Sequence, residues 1–168
     1  MAHHFRDATA ADDVALAEIY GHFVRTTVVT FDIAAPTEAT MNLKRAAVQE
    51  AGLPFIVAAD ESDTAVGYAA MFPWRPKDAY KQTVESSIYL SPSATGRGLG
   101  GALMEELIQR GRDADIRELI AVISDDGAEA SIRLHHKLGF ETIGHLKRVG
   151  FKFDRWVGTH IMQKSLAD

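Results

Sequence analysis

No cysteine occurs among the 168 residues. That absence removes disulfides, thiolate metal sites and any route through a cysteine acyl-enzyme. It also fits a reducing compartment, so a cytoplasmic protein is expected. An excess of basic charge is missing too: Lys+Arg 18 against Asp+Glu 23 leaves a formal net charge of -5. Neutralising nucleic-acid phosphates takes a basic patch, so no nucleic-acid partner is expected. Nor is a mildly acidic chain drawn to an anionic membrane. No apolar run is long enough to cross a bilayer. Met1 to Asp7 lacks a basic stretch followed by an apolar one, so no secretory signal is expected either. Repeats and low-complexity tracts are absent. What remains is 46% hydrophobic and 24% charged, the balance of a soluble globular chain with residues enough for one core. A single domain over 1–168 is expected.

Periodicity sets out the elements. Phe5 to Asp7 reads as a short strand. Thr9 offers an N-cap, with Asp12 in the first turn. Leu16, Ile19, Tyr20 and Phe23 follow at helical spacing, predicting a helix to about Val24. Thr37 caps a second helix through Ala51, stopped by Gly52 and Pro54. Strands over 55–59 and 66–72 flank a polar turn and form a hairpin. A loop over 73–80 leads to a strand over 84–90. Helices over 98–114 and 128–138, the latter ended by Gly139, surround a strand over 119–123. Two strands, near 142–146 and 156–163, close the chain. The order β-α-α-β-β-β-α-β-α-β-β predicts an α/β (α+β mixed) fold, with a central mixed sheet and helices on both faces.

The strand ending at Leu90 runs through Pro92 into Gly96-Arg97-Gly98-Leu99-Gly100-Gly101 and a helix. N–H groups at a helix start are unpaired, and the helix dipole adds positive charge, so an anion is well held there. Glycines let the backbone approach it closely, and Arg97 adds a charge. Three readings stand on these residues: a phosphate cradle, a tight turn with no ligand, and a dinucleotide fingerprint, since Gly96 to Gly101 also spell Gly-x-Gly-x-x-Gly. A Walker A loop is excluded, because no Gly-x-x-x-x-Gly-Lys-Ser/Thr run occurs.

The same segment resembles motif A of the GNAT superfamily of N-acetyltransferases, and Ser131 to Phe140, ending in Leu-Gly-Phe, resembles its second signature. Gly67-Tyr68, Trp74-Arg75-Pro76, Val84 to Tyr89 and Val149 to Trp156 are similar to the phosphinothricin N-acetyltransferase family, which includes enzymes acting on methionine sulfoximine and methionine sulfone. The likeness runs over nearly the whole chain. It implies a GNAT-like, mostly antiparallel sheet and a homodimer. The implied chemistry is direct transfer of acetyl from acetyl-CoA to the amine of a small amino-acid-like molecule.

The resemblance also implies a site. Ile88, Tyr89 and Leu90 pair with the pantetheine arm, and Gly96, Arg97, Gly98, Leu99, Gly100 and Gly101 hold the pyrophosphate, with Ser131 nearby. Strand alternation puts Glu85, Ser87 and Tyr89 on one face and Val84, Ser86, Ile88 and Leu90 on the other. Glu85 becomes the general base, directly or through water, where the residues alone allow a solvated carboxylate equally well. His135 donates to the leaving thiolate. His136 lies about 100° away around the helix and is left to solvent, and no metal site is expected from the pair. Arg75 binds a substrate carboxylate. Trp74, Pro76, Lys77, Ser86, Ser87 and Phe31 complete the acceptor pocket.

Departures from the family pattern fall at both ends of this site. Thr95 stands where motif A begins with Arg or Gln. Ala128 stands where an Asn side chain reaches pantetheine, and Lys77 replaces an aromatic residue. Asp154 and Gly158 occupy positions usually filled by Gly and Asp. Thr95 and Ala128 keep open an acyl-CoA-binding module with little turnover. Another acceptor, such as a protein N-terminus, a polyamine or an aminoglycoside, is the further alternative; Arg75 and Lys77 disfavour the cationic ones.

Overall fold

The computed structural model describes residues 3–167. A sheet of seven strands runs through it in the order β1-β2-β3-β4-β5-β7-β6. The strands are β1 (His4–Asp7), β2 (Phe55–Ala59), β3 (Ala65–Pro73), β4 (Thr83–Leu90), β5 (Glu118–Ser124), β6 (Glu141–Lys152) and β7 (Arg155–Ser165). Every neighbouring pair is antiparallel except β4 with β5. Helices α1 (Asp13–Thr26) and α2 (Glu38–Glu50) cover one face, α3 (Leu99–Asp113) and α4 (Glu129–Lys137) the other.

This is the mixed, mostly antiparallel sheet with helices on both faces that periodicity and resemblance led us to expect. The central strands are apolar without a break because both faces are covered. In β2, Ile56 and Ala58 enter the core under α3, while Phe55 and Val57 enter the one under α1 and α2. Gly111 lets α3 close on the sheet, since a Cβ there would meet Met71 Cε at 2.5 Å.

Two boundaries differ from expectation. Thr9 heads a short 3-10 turn, Ala10–Asp12, and α1 starts only at Asp13. Arg6 grips Asp12 with two hydrogen bonds of 2.8 and 2.9 Å and shapes that entry. The terminal strands are also longer than their apolar cores. They continue past an irregularity between Leu146 and Gly150, where Arg148 has φ +55°, to a turn at Phe153 and Asp154 with φ +51° and +57°. Asp tolerates that left-handed geometry better than most side chains, so Asp154 can stand at this turn.

A buried ion pair joins the two helices of one face. Asp13 accepts from Arg45 Nε at 2.7 Å, Arg45 Nη2 at 2.9 Å and Asn42 Nδ2 at 2.7 Å. Burial pushes the Asp13 carboxyl up, but these donors outweigh it and hold the carboxyl below the usual range. Its stabilising contribution is complete above the ordinary aspartate pKa of about 3.9 and disappears as pH falls through the lower folded-state value. Asp13→Ala leaves the Arg45 guanidinium buried without its partner. We expect a loss of about 3–5 kcal/mol in urea unfolding at pH 7, and a smaller difference from wild type at pH 3.

Candidate active site

β4 and β5 pair over only three positions, Thr83–Glu118, Val84–Leu119 and Glu85–Ile120. Beyond them β4 stays with β3 as far as Leu90, and β5 stays with β7 as far as Ser124. The strands part, and one edge of β4 over Ser86 to Leu90 loses its strand neighbour. A cavity of about 440 Å³ fills the opening. Ser86, Ser87, Ile88, Tyr89 and Leu90 form one wall, Ala121, Val122 and Ile123 the other.

The glycine turn closes one end. A 3-10 turn, Pro92–Ala94, follows β4, and Gly98 is the N-cap of α3. Gly96 and Gly98 have φ +79° and +77°, values that favour glycine. No N–H of residues 95–101 meets a backbone acceptor among the described residues. Gly96, Gly100 and Gly101 line the cavity with Thr95, whose hydroxyl donates to Pro92 O at 2.9 Å. Thr95 thus uses its side chain to tighten the turn and leaves its N–H free. Leu99 sends its side chain into the core, and Arg97 is exposed.

His135 enters from α4 and lines the same cavity with Ser131, Leu134 and Ala128. Its ring is buried, and it meets Phe140 edge-on at 4.8 Å. Nδ1 lies 2.8 Å from Ser131 O. A carbonyl only accepts, so Nδ1 carries the proton and Nε2 presents a lone pair. Burial lowers the imidazole pKa below its ordinary value, against the raising effect of the Ser131 carbonyl. His136 is exposed, and its Nδ1–H donates to Phe140 O at 3.2 Å.

Glu85 sits at the last shared position of β4 and β5, on the α1–α2 side of the sheet. It does not line the cavity, although its neighbours Ser86 and Ser87 do. Burial raises its pKa, and the nearby Arg75 and Lys44 partly offset this. Around it stand Tyr20, whose hydroxyl lies 2.6 Å from both Thr30 Oγ1 and Asp32 Oδ2, and Tyr89, whose hydroxyl burial pushes up to about 12. The Arg75 guanidinium is 4.7 Å from the Trp74 ring centroid, at the exposed rim. Pro76 and Lys77 continue that rim into solvent. Phe31 does not line the cavity; its ring packs over Gly150 of β6. The adjacent Thr30 carbonyl accepts from the buried Lys152 Nζ at 2.8 Å, so the C-terminal hairpin holds this loop.

A profile of the acetyltransferase (GNAT) family matches residues 16–140. The chain belongs to that family. It is 42% identical over 156 residues to a phosphinothricin N-acetyltransferase of Alcaligenes faecalis, covering 92% of this chain and 79% of that protein. An L-methionine sulfoximine/L-methionine sulfone acetyltransferase of Pseudomonas paraeruginosa is 36% identical over 166 residues, covering 99% of this chain and 96% of its own. The crystal structure of a GNAT superfamily phosphinothricin acetyltransferase from Sinorhizobium meliloti, in complex with AcCoA, aligns with a TM-score of 0.94 at 43% identity, covering 99% of this chain and 90% of that one.

Sequence reasoning named His135, Ser131 and residues of β4 through the family's motifs, and the structure brings these to one cavity. It named neither the β5 wall of that cavity nor Lys44, which stands near Glu85. Ala121 to Ile123 carry no motif, and their role comes only from the parting of two strands. Lys44 reads in the sequence as one more charge on an amphipathic helix. The ¹⁵N shifts of His135 at pH 7 are expected to report a neutral ring protonated at Nδ1, titrating below an ordinary histidine. A ring found protonated at Nε2 would contradict it.

Proposed function

We propose that this GNAT enzyme transfers acetyl from acetyl-CoA to the amine of a small amino-acid-like acceptor of the phosphinothricin or methionine sulfoximine/sulfone type. The observation that carries the proposal is one cavity offering two complementary surfaces. The free edge of β4 suits an amide-containing arm that adds to it like a strand, with Ile88, Tyr89 and Leu90 as its partners. The unpaired N–H groups of residues 95–101 suit a pyrophosphate, and Ser131 borders the same space. The chain's 168 residues act as one acetyltransferase domain, because one sheet carries both its cores and its site. The cytoplasm, where acetyl-CoA is available, is where the enzyme works.

Acetyl-CoA supplies an electrophilic thioester carbonyl. The acceptor arrives as an ammonium and must lose a proton to become a nucleophile. Glu85 takes that proton, directly or through water, and its raised pKa makes it a stronger base than a surface carboxylate. As the nitrogen attacks, a second proton must leave it, and the thiolate must gain one. His135 accepts the proton at Nε2 and returns it to sulfur. Its neutral tautomer can donate to the thiolate only after it has taken up this proton, so burial that keeps the ring neutral prepares it for both halves of the step. Arg75 holds the acceptor carboxylate at the rim, with Trp74, Phe31, Ser86 and Ser87 shaping the pocket and Pro76 and Lys77 bordering it.

Thiol release from acetyl-CoA with phosphinothricin or methionine sulfone measures the reaction. Glu85→Gln is expected to lower kcat by about 10²–10⁴-fold. In the wild type, kcat/KM rises with pH through a value above the ordinary carboxylate range, and this limb is absent in the variant. The absence of thiol release with any small amine would sink the reading.

We also infer a homodimer. An exposed apolar row on β6 and β7, with Ile143, Leu146, Val149, Phe151 and Trp156 each about half exposed, supports it. Light scattering is expected to give twice the chain mass for the wild type and the monomer mass for Leu146→Glu. A monomeric wild type would refute it.

A further inference from the structure

An amphipathic helix ordinarily turns its lysines to solvent. Lys44 of α2 instead turns inward between α1 and the sheet, and its ammonium ends 5.0 Å from the Tyr20 ring centroid and 4.9 Å from that of Phe72. Phe72 is the cross-strand partner of Glu85, so the ammonium and the carboxylate stand over the same sheet face. Lys44 nonetheless forms no ion pair among the described residues, and neither does Glu85 or Arg75. The other carboxylate here, Asp32, already accepts from the Tyr20 hydroxyl.

Aromatic faces fix a cation without using its N–H groups. Lys44 is therefore held in place with its donors unused. Burial lowers its pKa, opposed by Asp32 and Glu85. A lysine with no polar role would avoid that cost by extending into water. A line of ring contacts joins it to the cavity wall: Tyr89 lines the cavity, Tyr20 packs edge-on against Tyr89 at 4.9 Å, and Lys44 lies on Tyr20. Arg75 stands close enough to Glu85 to act on its charge. Two cations with free donors thus flank a carboxylate that meets neither of them directly. The nearby carboxylates, Glu85 and Asp32, pair with neither cation among the described residues, and a ligand with two separate oxyanion groups would take up both sets of donors.

We propose that Lys44 is a specificity-determining residue that binds an oxyanion at the side-chain end of the acceptor, while Arg75 holds its α-carboxylate. The inference rests on the acceptor class proposed above and narrows it. Amino acids whose side chain ends in a charged phosphinate or carboxylate are preferred over those ending in an uncharged sulfone.

Steady-state kinetics with saturating acetyl-CoA test this, using phosphinothricin and methionine sulfone as the two acceptors. Lys44→Met keeps an unbranched stem against the rings and removes the charge. It is expected to lower the phosphinothricin to methionine sulfone ratio of kcat/KM by about ten- to a hundredfold, the value of a charge-assisted hydrogen bond. The loss should fall mainly on KM for phosphinothricin, and Lys44→Arg should restore most of the ratio. A ratio within about twofold of wild type, the size of an exposed and screened contact, overturns the inference. So does an equal fall in kcat for both acceptors with a shifted acid limb, which assigns Lys44 to tuning Glu85. A wild type that acetylates neither acceptor instead defeats the acceptor class itself, so the two failures are distinct.

Discussion

The parting of β4 from β5 after Glu85 and Ile120 is the constraint on which the rest of the molecule depends. A sheet normally satisfies every backbone group along a central strand. Here two central strands leave each other while each keeps its outer partner, β3 on one side and β7 on the other. The sheet becomes two wings hinged on three shared positions. Unpaired strand edges are ordinarily a liability. Here residues of α1 and α4 line the same cavity as the edge, which shelters it from another protein's strand.

The hinge also separates two environments. On the α3–α4 side, His135 is buried and drawn towards its neutral form. On the α1–α2 side, Glu85 is half-buried and likewise drawn towards neutrality. An acid and a base whose charged forms are both disfavoured come closer in pKa, which eases proton movement between groups near neutral pH. The cations around Glu85 keep this from going too far, since Arg75 and Lys44 each favour its ionised form.

Much of the fold was legible because both faces of the sheet are covered. Runs such as Phe55 to Ala59 stand out as strands, and Thr37 and Gly139 mark helix ends as their chemistry requires. The glycine turn was legible as a strand-to-helix turn that suits an anion, but residues 96–101 alone also allowed a dinucleotide reading. The family's wider pattern is what favoured acetyl-CoA over a dinucleotide. The cavity's far wall was not legible, because strand divergence leaves no mark on Ala121 to Ile123. Nor was the ring-bound position of Lys44, which depends on Phe72 and Tyr20 lying far apart in sequence and adjacent in space. The extent of β6 and β7 was hidden by Arg148 and Gly150, which interrupt alternation without ending the pairing.

The tie between the Lys152 ammonium and the Thr30 carbonyl spans 122 positions of sequence. Phe31 against Gly150 repeats the connection, and β7 supplies the outer partner that β5 needs. A ribosome delivers the chain from its N-terminus. The early wing, β1 to β4 with α1 and α2, can assemble while the last strands are still being made, yet the loop that carries Thr30 and Phe31 has nothing to rest on until the terminal hairpin arrives. Closure of the sheet therefore comes last in synthesis, and a chain that stops before the hairpin leaves β5 without its outer partner.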